Sequence, residues 1–150
     1  MDRSYFPLFV DLSEKKIIVA GGGLIAERRV RALLSFADHI TVIAPWISSG
    51  LLELEQGKWI RCLKRAFHPD DIIGADLVLA ATNDLRLDHE IGIRCRNEQI
   101  LVNVADCKEL CDFYFPGIIM DEEITIGITA NGKDHSKVKE VRRKIEKALK

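Results

Sequence analysis

Lys15-Lys16-Ile17-Ile18-Val19-Ala20-Gly21-Gly22-Gly23-Leu24-Ile25-Ala26-Glu27-Arg28-Arg29 is the stretch on which the reading of this 150-residue chain turns. An apolar β-type run enters three glycines and leaves as the start of a helix. Gly21, Gly23 and Ala26 have the G-x-G-x-x-G/A spacing of a dinucleotide-binding turn, with Gly22 between the first two. Gly21 permits the tight exit from the strand, and Gly23 lets backbone approach a pyrophosphate with no Cβ in the way. Ala26 lets the helix lie close on the sheet. The free N–H groups and partial positive charge at the helix start favour phosphate.

Outward from this turn, β-rich and helical patterns alternate. Phe6 to Leu12 reads as a short strand leading into Lys16–Ala20. A helix is expected from Leu24 to Phe36 with Ile25, Val30, Leu33 and Leu34 on its buried stripe. His39–Ala44 is a second strand, stopped by Pro45. Ser48 and Ser49 offer N-caps to a short helix ending before Gly57. Trp59–Arg65 alternates like an edge strand, and His68–Ile73 is one helical turn with Pro at its start. Leu77–Thr82 is a continuous apolar run, as expected of a strand buried on both faces. Asn83-Asp84 is a turn, Leu85–Arg96 a helix and Ile100–Ala105 a further strand. The expected fold is therefore α/β, a Rossmann-like doubly wound parallel sheet.

After Asp106 the pattern changes. Phe113–Ile119 and Ile124–Thr129 are two β-runs joined by the turn Asp121-Glu122-Glu123, with no helix between them, so they pair antiparallel. Ser136–Lys150 is an amphipathic helix with Val138, Val141, Ile145 and Leu149 on one face. Residues 1–112 thus read as a dinucleotide-binding domain and residues 113–150 as a small α+β appendage.

Composition narrows the function. The net charge of −1 gives no reason to expect nucleic acid. No apolar run approaches the roughly 20 residues of a membrane span, and Met1–Pro7 lacks a signal-peptide core, so a cytoplasmic location is expected. Cys62, Cys95, Cys107 and Cys111 should be reduced thiols. Cys107-x-x-x-Cys111 lacks a second ligand pair with zinc spacing, so no metal site is expected. One feature of the dinucleotide pattern is missing. An acid is expected about 20 residues past the glycines, on a ribose hydroxyl, but this chain has Ala44-Pro45-Trp46. No arginine flanks that position to receive a 2′-phosphate either, so the motif alone leaves NAD and NADP open.

Five patterns occur together: Tyr5-Phe6-Pro7-Leu8-Phe9; Val19-Ala20-Gly21-Gly22-Gly23-Leu24-Ile25-Ala26-Glu27-Arg28-Arg29; Ala80-Ala81-Thr82-Asn83-Asp84; Val102-Asn103-Val104-Ala105-Asp106; and Phe113-Tyr114-Phe115-Pro116-Gly117-Ile118-Ile119. In this combination the chain resembles the precorrin-2 dehydrogenase / sirohydrochlorin ferrochelatase family of sirohaem synthesis, over residues 5 to about 149. The resemblance implies NAD-dependent oxidation of precorrin-2 to sirohydrochlorin, sometimes followed by iron insertion. It implies Leu24 and Ile25 at the pyrophosphate turn, Pro45 and Trp46 beside the adenosine, and a catalytic aspartate at Asp106. It also implies a homodimer that exchanges the appendage between subunits. Family members extend further into a helical region, and the turn 130–136 departs from the family's Ser-rich form.

The residues agree with that chemistry independently. Asp106 directly follows the last parallel strand, facing the crevice where ligands of such sheets bind, and in a partly desolvated setting it can act as a general base. As a structural residue it would instead cap the turn that follows. Thr82 and Asn83 end the fourth strand beside the expected nicotinamide half. Arg28, Arg29, Lys108, Lys133 and Lys137 are candidate partners for the carboxylates of a tetrapyrrole. Two other readings stay open: a non-catalytic module that senses a nucleotide or tetrapyrrole, and a chelatase without the oxidation step.

Overall fold

The computed structural model describes residues 3–150; Met1 and Asp2 lie outside the described residues. The backbone groups into two compact units, Val10–Asp112 and residues 3–9 together with Phe113–Lys150.

The larger unit carries five parallel strands: β1 (Lys16–Ala20), β2 (His39–Ala44), β3 (Arg61–Lys64), β4 (Leu77–Ala80) and β5 (Leu101–Val104). Their order across the sheet is β3-β2-β1-β4-β5. Successive connections run outward to one side as far as β3, then cross back to β4 beside β1. The order reverses between β1 and β4, and that switch point is where open α/β sheets form their ligand crevice. Register is continuous across it, with Ala20 opposite both Ile43 and Ala80, and Ala80 opposite Val104.

Three α-helices belong to this unit: α1 (Leu24–Leu33), α2 (Ser49–Gln56) and α3 (Leu85–Asn97). Strand alternation sends Ile18, Ala20, Val78, Ala80, Val102 and Val104 to one face of the sheet. There they pack in one cluster with Ile72, Ile91 and Cys95. Ile17, Val19, Val42 and Leu79 point to the other face and are fully buried. Every residue of β4 is buried, as its uninterrupted apolar run predicts.

The smaller unit has an antiparallel pair, β6 (Gly117–Asp121) and β7 (Ile124–Ile128), and a helix, α4 (His135–Leu149). The hairpin turn places Glu122 at φ 46°. Val138 of α4 lies over Gly117, where a Cβ would meet its Cγ1 at 3.0 Å.

Three local expectations need correction. Residues 6–12, expected as a strand, enter no ladder, and Phe6, Leu8 and Phe9 are exposed. An apolar run suggests a strand, but a strand also needs a neighbour with free N–H and C=O groups. The strand expected from Phe113 begins only at Gly117, because Pro116 has no N–H to donate. Tyr114, upstream of it, stacks on Tyr5 with ring centroids 3.9 Å apart. Finally, α1 ends at Leu33 and its buried stripe is Ala26, Val30 and Leu33, leaving Ile25 exposed. Those three share one helical face at i, i+4, i+7, and Ile25 lies a quarter-turn off it.

Candidate functional site

Gly21, Pro45, Thr82 and Asp106 stand one or two residues beyond the ends of β1, β2, β4 and β5, along a single edge of the sheet. Backbone bonds extend the ladder into these loops and fix their heights. Gly21 N–H donates to Ile43 O, Ala81 N–H to Ala20 O, and Ala105 N–H to Ala80 O.

The three glycines have different reasons to be glycine. Gly21 has φ +117°, and a Cβ there would fall 2.1 Å from the Ala81 carbonyl oxygen. A Cβ on Gly22 would fall 2.2 Å from the Trp46 carbonyl oxygen. Neighbouring backbone therefore demands both. Gly23 is extended (φ −88°, ψ −164°), a conformation open to any residue, and a Cβ there would meet nothing within 4 Å. Among the described residues nothing requires a glycine at 23, so the position is open to solvent on the side where a Cβ would stand.

Gly23 is also the N-cap of α1 and supplies no side-chain cap. The other three α-helices are capped by side chains, α2 by Ser48, α3 by Asp84 and α4 by Asp134. The N–H groups opening α1 are thus left to an external acceptor, and an anion is the natural one. Around this opening Leu24, Ile25 and Trp46 are 75, 48 and 65 % exposed, an apolar rim suited to the flat parts of a ligand. Pro45 and Asn83 are exposed as well.

Three polar arrangements behind these loops were not legible in the sequence. Glu27 of α1 accepts from Ser48 Oγ (2.7 Å) and from Arg31, while Ser48 N–H donates to Gly22 O (2.8 Å). The Ser48 bond first, and then Arg31, hold the Glu27 carboxyl below its ordinary range. Arg29, also on α1, donates to Asn103 Oδ1 in β5. It is therefore engaged inside the fold. Burial lowers its pKa, an effect opposed by Cys111, Asp106 and Asp88 nearby. Asp88 of α3 is fully buried, and its Oδ1 accepts from both the N–H (3.1 Å) and the hydroxyl (2.6 Å) of Thr82. Hence the Thr82 side chain faces inward to Asp88. The only sequence signal was the helix start itself, Asp84 followed four residues later by Asp88, which reads as ordinary capping chemistry.

Asp106 is exposed, where a partly desolvated setting was expected. Among the described residues no group of three His, Cys, Asp or Glu side chains is gathered to hold a metal ion. Cys111 Sγ instead donates to the carbonyl oxygens of Val104 and Cys107. No described helix is long and apolar enough to cross a membrane.

Residues 8–117 match the family described as "Putative NAD(P)-binding". The chain belongs to this family. Its ligand class is accordingly a nicotinamide dinucleotide, in keeping with a glycine turn opening an uncapped helix. The chain is 43 % identical over 143 residues to the "Probable multifunctional siroheme biosynthesis protein HemA" of Ruminiclostridium josui, covering 95 % of the chain and 28 % of that protein. It is 36 % identical to a siroheme synthase of Psychrobacter sp. (strain PRwf-1), covering 85 % of the chain and 26 % of that protein. With a siroheme synthase of Vesicomyosocius okutanii subsp. Calyptogena okutanii the identity is 33 %, over 97 % of the chain and 31 % of the relative. The chain thus spans under a third of the length of these relatives. Its fold matches that of "SirC, precorrin-2 dehydrogenase" with a TM-score of 0.83, at 24 % identity, over 96 % of this chain and 71 % of that one. The resemblance to the sirohaem-synthesis family and the doubly wound architecture read from the sequence are both borne out.

Proposed function

We propose that the chain catalyses NAD-dependent dehydrogenation of precorrin-2 to sirohydrochlorin. The observation that carries this reading is Gly23: a glycine with open space in place of its Cβ, opening a helix that no side chain caps. Gly21, Gly22 and Gly23 line the pyrophosphate turn with Leu24 and Ile25. Pro45 and Trp46 flank the adenosine, and Thr82 and Asn83 border the nicotinamide half. When bound, the nicotinamide supplies the hydride acceptor that a dehydrogenation requires.

The chain's own residues do the rest. Asp106, beyond β5 on the same edge as the glycine turn, accepts the proton lost from the tetrapyrrole, and substrate binding excludes the water that surrounds its carboxylate. Arg28 and Lys108, both exposed, are the cations of the larger unit suited to substrate carboxylates. Arg29 is not, being committed to Asn103. NAD is favoured over NADP because Pro45–Gly50 contains no cation and the Glu27 carboxylate stands behind it on Ser48. The larger unit is the dinucleotide part. The smaller is the dimerisation and substrate-enclosing appendage of a cytoplasmic homodimer, with α4 offering Val138, Val141 and Ile145 as its apolar stripe.

The test is anaerobic incubation with precorrin-2 and NAD, following sirohydrochlorin absorbance. Wild type turns over, and Asp106→Ala loses about 10²–10⁴-fold in rate while keeping its NAD affinity. Equal rates in the two would remove Asp106 from the chemistry. Tight NAD binding without turnover in wild type would favour the sensing module instead.

A further inference from the structure

We infer that Asp88 is a positioning residue that works as a neutral acid, its Oδ1 fixing Thr82 at the end of β4 while Oδ2 carries a proton. This rests on the dinucleotide reading above for its consequence, though not for the protonation itself.

Geometry supplies the argument. Asp88 has no solvent exposure. Both donors of Thr82 converge on one of its oxygens, and the other, Oδ2, has no hydrogen-bond partner among the described residues. A carboxylate would leave charge on a buried Oδ2 to which no described group donates, and a buried charge without such a bond is costly. The carboxylic acid form fits the observed bonds, with Oδ1 the double acceptor and Oδ2 the hydroxyl. The charged groups around it are divided. Asp84 and Asp106, both acids, favour the neutral form, while Arg29, whose guanidinium donates to Asn103, opposes them. Burial, the largest influence, pushes the Asp88 carboxyl upward, with the two acids adding to it and the Thr82 bonds opposing.

The position matters because Ala81 and Thr82 form the wall beside the glycine turn. The Ala81 carbonyl occupies the space into which a Cβ on Gly21 would project. Thr82 is locked from behind by Asp88 and from the side by the Asp84 N–H, which donates to its hydroxyl at 3.2 Å. The wall is held without placing a second negative charge behind Asp106. Two carboxyls set apart by environment, one buried and one exposed, divide structural and chemical roles between them.

The direct readout is infrared difference spectroscopy of the ligand-free chain at neutral pH. Wild type shows a protonated-carboxyl C=O band that Asp88→Asn lacks; identical spectra would overturn the neutral acid. The second readout is NAD affinity by calorimetry. Asp88→Ala, which removes the Thr82 anchor, weakens NAD about tenfold. Asp88→Asn, which keeps the Oδ1 acceptor, restores affinity to within about threefold of wild type. Should Asp88→Ala fail to fold, Thr82→Val removes the hydroxyl bond alone and weakens NAD about threefold. NAD binding indifferent to Asp88→Ala or Thr82→Val overturns the positioning role. A wild-type chain that does not bind NAD sinks the dinucleotide reading and the positioning role with it, while the infrared band still decides the protonation.

Discussion

Ser48 Oγ donates to Glu27 Oε2 across 2.7 Å, joining the N-cap of α2 to the first turn of α1. Because Ser48 N–H also bonds Gly22 O, the loop after β2 and the glycine turn after β1 move as one piece. Ser48 is buried as well, so the bond is shielded from water and its loss is not made good by solvent.

Ser48→Ala removes this bond and the cap on α2 together, and costs about 1–2 kcal/mol of stability, read as a fall in Tm. The Glu27 contribution is pH-dependent. Its folded pKa lies below the ordinary 4.5, so its stabilisation is fully present above that value and fades as pH falls through the lowered folded value. Comparing Ser48→Ala with wild type by thermal melts, the gap in Tm should be wide at neutral pH and narrow in acid. A gap that widens in acid would contradict the ionised Glu27.

Gly21→Ala and Gly23→Val should fail differently. The first drives a Cβ into the Ala81 carbonyl at a φ of +117°, so the chain loses stability before it loses a ligand. The second enters open space, so the protein folds with a near-normal melt but no longer binds NAD. Circular dichroism with calorimetry separates the two, and unchanged NAD affinity in folded Gly23→Val would remove the pyrophosphate from this turn.

Gly92→Ala sets helix propensity against packing. Alanine gains up to about 1 kcal/mol within α3, but its Cβ would meet Val104 Cγ2 at 2.8 Å and Leu110 Cδ1 at 3.1 Å. Val104 is buried on a strand and β-branched, so it cannot swing aside. Overpacking costs about 1–3 kcal/mol, so packing wins. Denaturant unfolding should show net destabilisation; a stabilised variant would mean that this side of α3 is loosely packed.

Burial pushes the thiol of Cys95 up to about 12 and that of Cys62 to about 11. Neither forms appreciable thiolate at about pH 8, where thiol reagents act. In the native protein both should therefore resist modification, and both should react once the chain is unfolded. Mass mapping of the labelled sites checks this, and rapid native labelling of Cys95 would show that α3 opens from the sheet.

Much of the architecture was legible locally. The Leu77–Ala80 run needed only its own composition to be a doubly buried strand, and Ser48 before Ser49–Gln56 needed only its hydroxyl to be a cap. The glycine spacing at 21–26 marked the turn because backbone torsion and helix packing act over a few residues. Where pairing with a distant partner decided the outcome, local pattern misled: residues 6–12 are apolar like a strand but are not hydrogen-bonded as one.

What the chain's order of residues determined alone is thus the alternation of elements, the turn that opens α1, and the place of Asp106 at a strand end. Only the tertiary structure decided which glycines the neighbouring backbone demands and which faces open space, because that depends on what stands across the gap. It alone committed Arg29 to Asn103, 74 residues away, and sealed Asp88 behind Thr82. Whether a charged side chain is available to a substrate, or is spent inside the protein, is set by its surroundings in space, and a sequence lists neighbours along the chain only.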